Sequence, residues 1–147
     1  MIRLSAKRAS INMISAITNQ GKVRFMLYQD TMNAKMFMKF IKQLIKDAER
    51  KIFLVLDNLR VHHARVVQEW LKDYTEHIEL FFLPAYSPEL NPDEYLHCDL
   101  KAGVHSRAPA RNTDGLTKKV CVHMKKLQKL PDRVKKYFNH PKIAYAA

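Results

Sequence analysis

The chain has 147 residues, enough for one domain with a substantial core, and its 47% hydrophobic content with only 3 glycines excludes a disordered or fibrous protein. Lys plus Arg number 26 against 14 Asp plus Glu, a net charge of +12, and a balance this basic favours a polyanionic partner. Cys98 and Cys121 are too few to frame a disulfide scaffold, and there is neither a signal peptide nor an apolar run of ~18 residues, so the chain reads as soluble and cytoplasmic with no membrane partner.

In chain order, "INMISAIT" (11–18) and "KVRFMLYQ" (22–29) are rich in strand formers and separated by the turn signal Asn19–Gly21, which predicts an antiparallel hairpin. From Asn33 to Ala48 the apolar residues Phe37, Phe40, Ile41, Leu44, Ile45 and Ala48 fall on one helical face, with Thr31 or Asn33 as the cap. "KIFLVLDN" (51–58) is a continuous apolar run and predicts a strand buried on both sides. A helix over about 63–74 follows, with Val66, Val67, Trp70, Leu71 and Tyr74 on one face and Trp70 in the core, then a strand over 78–84 ended by Pro84. Strand, helix, strand, helix, strand predicts an α/β layer with parallel pairing.

A third helix is expected from Pro92 to about Lys101, with Asp93 and Glu94 at its positive end. Residues from about 113 to 147 read as a basic helical extension capped by Thr113, and the loop 105–113 is the best candidate for a flexible joint. The whole is a single domain of 147 residues.

Asp57 stands at the carboxyl end of the predicted buried strand, where ligands gather in open α/β sheets. Glu94 follows the loop that leaves the next strand, so both carboxylates are expected at the same rim. Two carboxylates on a basic protein suit Mg²⁺ or Mn²⁺, hard ions that complete their shell with water and substrate phosphate. Taken alone, a strand-end Asp is more often a turn or cap former, and a first-turn Glu more often complements the helix dipole. The histidines and cysteines lack the spacing of a structural zinc site.

The strings "LVLDNLRVHHA" and "LPAYSPELNPDEYLHCDLK" shift that balance. They closely resemble the second and third acidic motifs of the IS630 family of DDE transposases, relatives of the Tc1/mariner group, and the likeness in order extends from residue 11 to about 105. The resemblance implies a ribonuclease H-like α/β fold of the DDE integrase type. It also implies metal-dependent cleavage and strand transfer of an insertion sequence, with DNA as partner and a bacterial, nucleoid-associated setting. Asp57 matches the second acid and Glu94 the third, so both are expected to be catalytic and to hold the metal. Asn58 and His62 match the polar and histidine positions after the second acid, with roles in orienting the carboxylate or contacting DNA. Tyr86, Ser87, Asn91 and Lys101 are the remaining supporting or DNA-binding candidates. Asp93 is a weaker candidate than its neighbour.

The family's first acid lies on the first, central strand of its sheet, and here no acidic residue precedes Asp30. The chain is therefore expected to lack that strand and to be inactive or incomplete alone. Three devices could fill the gap: "MIRLSA" folding back, direct pairing of the hairpin with the "IFLVL" strand, or a strand from another chain, with a homodimer preferred. A separately encoded N-terminal piece is a further expected partner. The alternative reading is a non-catalytic DNA-binding or assembly remnant of a split transposase.

Overall fold

Strands β1 (Ile2–Ala6) and β3 (Val23–Tyr28) flank β2 (Ala9–Ile17) in an antiparallel sheet of order β1-β2-β3. Alternation explains its packing: Ile2 and Leu4 from β1 and Ala9, Ile11 and Met13 from β2 turn into the core, while Arg3 and Ser5 face solvent. The hairpin read from the sequence is present, with Ile17 opposite Val23 and Ser15 opposite Phe25. "MIRLSA" folds back onto the other edge of β2, pairing Ile2 with Met13 and Ala6 with Ala9, so β2 has a neighbour on each side.

The computed structural model describes residues 1–6, 9–106 and 110–147, in two compact units. The first unit combines Met1–Asp30 with Pro92–Ala147, and the second is Thr31–Asn91. The flexible joint expected over 105–113 falls partly outside the described residues.

In the first unit, α3 (Asp93–His105), α4 (Thr113–Gln128) and α5 (Pro131–Lys135) pack against the three-stranded sheet. Leu96 and Leu100 of α3 and Leu116, Val120, Met124 and Leu127 of α4 are fully buried in one core with Leu4 and Met13. Each such side chain contributes roughly 1.5–3 kcal/mol relative to exposure. The cap of α4 is Asn112 rather than the expected Thr113: its Oδ1 accepts from the Gly115 amide at 2.7 Å. Both residues are cap formers, and backbone geometry, extended at Asn112, decides between them. Short 3₁₀ turns (Lys136–Asn139 and Pro141–Ala146) bring Phe138 and Ile143 back into the interior.

In the second unit, α1 (Ala34–Asp47) is capped by Asn33, whose Oδ1 accepts from the Met36 amide at 2.9 Å, and buries Phe37, Phe40, Ile41 and Leu44. Strand β4 (Ile52–Leu56) pairs in parallel with β5 (Ile78–Phe82), Ile52 opposite Ile78. Burial of β4 on both sides is corrected here: Phe53 is 63% exposed, and Val55 and Phe81 share its open face. An unbroken apolar run states that a strand is hydrophobic, not that both its faces are covered. Helix α2 (Arg65–Leu71) continues as a 3₁₀ turn to Tyr74. It buries Val67, but Val66 is exposed, and Trp70 is only partly buried, with Lys42 over its ring. No helix among the described residues is long and apolar enough to cross a membrane.

Candidate functional site

Asp57 follows the last residue of β4, at the carboxyl end where the chain leaves the sheet. Its Oδ1 accepts a hydrogen bond from Asn91 Nδ2 at 3.0 Å. Asn91 is the last residue of the second unit, so this bond holds the end of the proline-bounded loop against the second acid within that unit. The sequence offers Asn91 as a supporting or DNA-binding candidate, and in the structure its side chain holds the Asp57 carboxylate. Pro84, Pro88 and Pro92 fix φ along this loop, which keeps the ordering cost of that hydrogen bond low.

His62 does not touch that carboxylate. Its Nδ1 donates to the Asp57 backbone carbonyl at 2.7 Å, and the ring is buried against Phe37. Burial pulls His62 below the ordinary histidine range, against the opposing pull of that carbonyl, so it works as a neutral donor. This fixes the turn that presents Asp57, and the His62 ring is buried. Asn58 Oδ1 meets His63 Nε2, and the His63 ring stacks on Phe82 at 3.9 Å.

Tyr86 is 101% exposed with φ of 56°, a left-handed backbone that a bulky residue adopts at a cost of roughly 1–2 kcal/mol. Ser87 Oγ donates to the Ala85 carbonyl at 3.3 Å, a local turn contact.

In the first unit, Glu94 stands in the first turn of α3 with its side chain 35% exposed. His97 Nδ1 lies 3.6 Å from Glu94 Oε2, an ion-pair separation longer than a full hydrogen bond. The other ring nitrogen, Nε2, is 3.0 Å from Asp93 Oδ2. Ser15 Oγ, on β2, reaches both Asp93 oxygens at 2.8 Å and His97 Nε2 at 3.2 Å. Asp93 and His97 are both buried. Asp93 is thus committed to a polar cluster inside the unit and is not a free ligand. The His97 ring holds the Glu94 carboxyl below the usual carboxylate range, against the burial that pushes it up, and the Lys101 charge adds to the effect. Lys101 itself is exposed, as expected for a lysine on that face.

Burial pushes His97 down, but its contacts with Asp93 and Glu94 outweigh this and raise it to about 8 from the ordinary 6.5. A histidine raised in the folded state contributes stability that is complete below about pH 6.5 and is lost as pH rises through about 8. The urea midpoint of metal-free protein should therefore fall between pH 6.5 and 9, and His97→Phe should abolish most of the fall. An unchanged wild-type midpoint across that window refutes the assignment.

Among the described residues no three His, Cys, Asp or Glu side chains gather into a ready-made metal cage. What Asp57 and Glu94 offer is hard anionic oxygen, each carboxylate oriented by one neighbour, Asn91 or His97, with lone pairs to spare. Carboxylate oxygen of this kind suits Mg²⁺ or Mn²⁺, which keep several waters and use one or two carboxylates with substrate phosphate, better than it suits a structural zinc site built from Cys and His.

Solved structures supply the comparison for the fold. The crystal structure of the catalytic domain of Mos1 mariner transposase matches with a TM-score of 0.69 and 16% identity, covering 99% of this chain and 78% of that one. The crystal structure of the Mos1 strand transfer complex matches with a TM-score of 0.55 and 23% identity, covering 86% of this chain and 40% of that one. At these identities the likeness is one of fold, and the fold is ribonuclease H-like, as the two acidic motifs implied. No curated protein matches the chain. Residues 2–117 match the model of a family described as DDE superfamily endonuclease. The match spans most of the chain, and the protein belongs to the DDE superfamily endonuclease family.

Proposed function

We propose that the chain is the catalytic-domain portion of a transposase of the Tc1/mariner-like group, IS630 type, acting on DNA through a divalent cation held by Asp57 and Glu94. The family match over residues 2–117, which takes in both acidic strings, carries this reading. When bound, the ion supplies a Lewis acid that activates the attacking oxygen and offsets charge building at phosphorus. The chain's own groups do the preparation. Asn91 fixes one Asp57 oxygen, His62 fixes the backbone beneath it, and His97 orients Glu94. Asn58, Tyr86, Ser87 and Lys101 remain proposed DNA-facing or supporting groups; Asn58, Tyr86 and Lys101 are exposed and Ser87 is half-buried.

Strands β1 to β3 carry no carboxylate. Two acids hold two divalent ions poorly, so the chain alone is proposed to show little strand transfer, and a partner, a second copy or a separate N-terminal piece, to complete the site. The test is Mn²⁺ titration followed by electron paramagnetic resonance. Asp57→Asn and Glu94→Gln should each weaken binding more than tenfold, and Asn91→Ala about tenfold, in the range of outer-shell losses. Binding unaffected by either carboxylate change overturns the reading.

A further inference from the structure

The excess positive charge is concentrated in one part of the chain. Residues 113–147 hold nine Lys or Arg against two acids, Asp114 and Asp132, a net of +7 out of +12. Some of these cations are occupied: Arg133 pairs with Asp99, Lys135 lies 3.7 Å from Asp132, and Lys119 donates to the Val104 carbonyl. Lys118, Lys125, Lys126 and Lys129 are exposed, and none forms an ion pair among the described residues.

Helical spacing places Lys118, Lys125 and Lys129 in one line with Val122, which is 65% exposed, opposite the buried Leu116, Val120, Met124 and Leu127. From Lys118 to Lys129 the line is ~16 Å long at 1.5 Å per residue. Over that length duplex DNA presents roughly ten phosphate charges. The helix is anchored by its apolar face and by Gln128 Nε2 donating to the Val23 carbonyl at 3.1 Å, so the lysines sit on a rigid support. Lysine is a point charge suited to phosphate, and the stripe carries no Arg, Asn or Gln to read base edges.

Helix α1 has the same spacing in Lys35, Lys39, Lys42 and Lys46, all exposed. However, Thr31–Asn91 holds nine Lys or Arg against eight Asp or Glu, and its field nearly cancels beyond a Debye length. Equal spacing with unequal surroundings makes α1 the matched control.

We propose that the outward face of α4, formed by Lys118, Lys125 and Lys129 with Lys126 at its flank, lies along the sugar–phosphate backbone of duplex DNA without reading sequence. This rests on the proposed action on DNA and locates the surface that grips it. Fluorescence anisotropy with a random-sequence duplex, over a range of salt, tests it. Lys118→Gln/Lys125→Gln/Lys129→Gln should lower the slope of log K against log salt by about 2.7, three contacts at ~0.9 each. Lys35→Gln/Lys39→Gln/Lys46→Gln should leave the slope unchanged. Acetylation of the wild-type chain should show Lys118, Lys125 and Lys129 protected by duplex, and the α1 lysines not. An unchanged slope in the α4 variant, protection of α1 instead, or equal competition by poly-glutamate at matched charge overturns the proposal. Such a failure, with carboxylate-dependent Mn²⁺ binding intact, leaves the catalytic reading standing, and loss of that Mn²⁺ dependence removes the reading independently of the slope.

Discussion

Replacing Asp99 with alanine should destabilise the protein by about 3 kcal/mol, read as a lower urea midpoint with little change in slope. Asp99 joins three helical segments: it accepts from Arg133 Nε at 2.9 Å and from Arg133 Nη2, accepts from the Tyr137 hydroxyl, and faces His123 Nε2 at 3.4 Å. Burial opposes ionisation of its carboxyl, but Arg133 and Tyr137 outweigh that and hold it below the usual range. Removing it strands the Tyr137 hydroxyl, whereas Arg133, part-exposed, recovers water, which keeps the cost well under that of a fully buried pair. Asp99→Asn keeps the shape and one acceptor and should lose about half as much. The sign with pH follows from the depressed carboxyl: its contribution is present above the unfolded value of 3.8 and is lost as pH falls through the lower folded value. An Asp99→Ala protein within 0.5 kcal/mol of wild type would show the network to be ornamental.

Gly21→Ala should cost a similar amount, about 3 kcal/mol, for two separable reasons. Gly21 has φ of +87°, in the left-handed region that L side chains disfavour. A Cβ there would lie 2.4 Å from the Pro131 carbonyl oxygen and 2.7 Å from its Cα, so the β2–β3 turn and the start of α5 could not both stay in place. Asn tolerates positive φ but carries the same Cβ. Gly21→Asn should therefore recover only the backbone share, roughly 1 kcal/mol, and full recovery would show that the close approach to Pro131 is unimportant.

Elements whose signal is local were legible. The Asn19–Gly21 turn, the 3.6-residue rhythm of Phe37, Phe40, Ile41 and Leu44, and the apolar runs ended by Asp57 and Pro84 each announce themselves within a few positions. The ribonuclease H-like fold was legible through the "YSPELNP" string rather than through periodicity. The site was readable only in part. Asp57 and Glu94 were named, but Ser15 meets Asp93 across 78 positions and nothing local marks it, since a serine in β2 looks like any polar residue in a strand. Asn91 was named for its type, yet its bond to Asp57 across 34 positions exists only after β4 and the loop have formed. The one-sided cover of β4 failed for a related reason: hydrophobicity is a property of the run, whereas cover depends on what the rest of the chain supplies.

The discontinuous makeup of the first unit, Met1–Asp30 with Pro92–Ala147, bears on how the chain must be synthesised. As it leaves the ribosome, β1 to β3 emerge early but find no helices to cover Ile11 and Met13 until α3 and α4 follow. Bridging the intervening segment of about sixty residues costs about 4 kcal/mol of closure entropy before any of that core rewards it. The continuous segment Thr31–Asn91 has no such wait, so translation favours an inside-out order in which the interrupting piece organises first and the sheet waits, apolar side bare, for its own C-terminus.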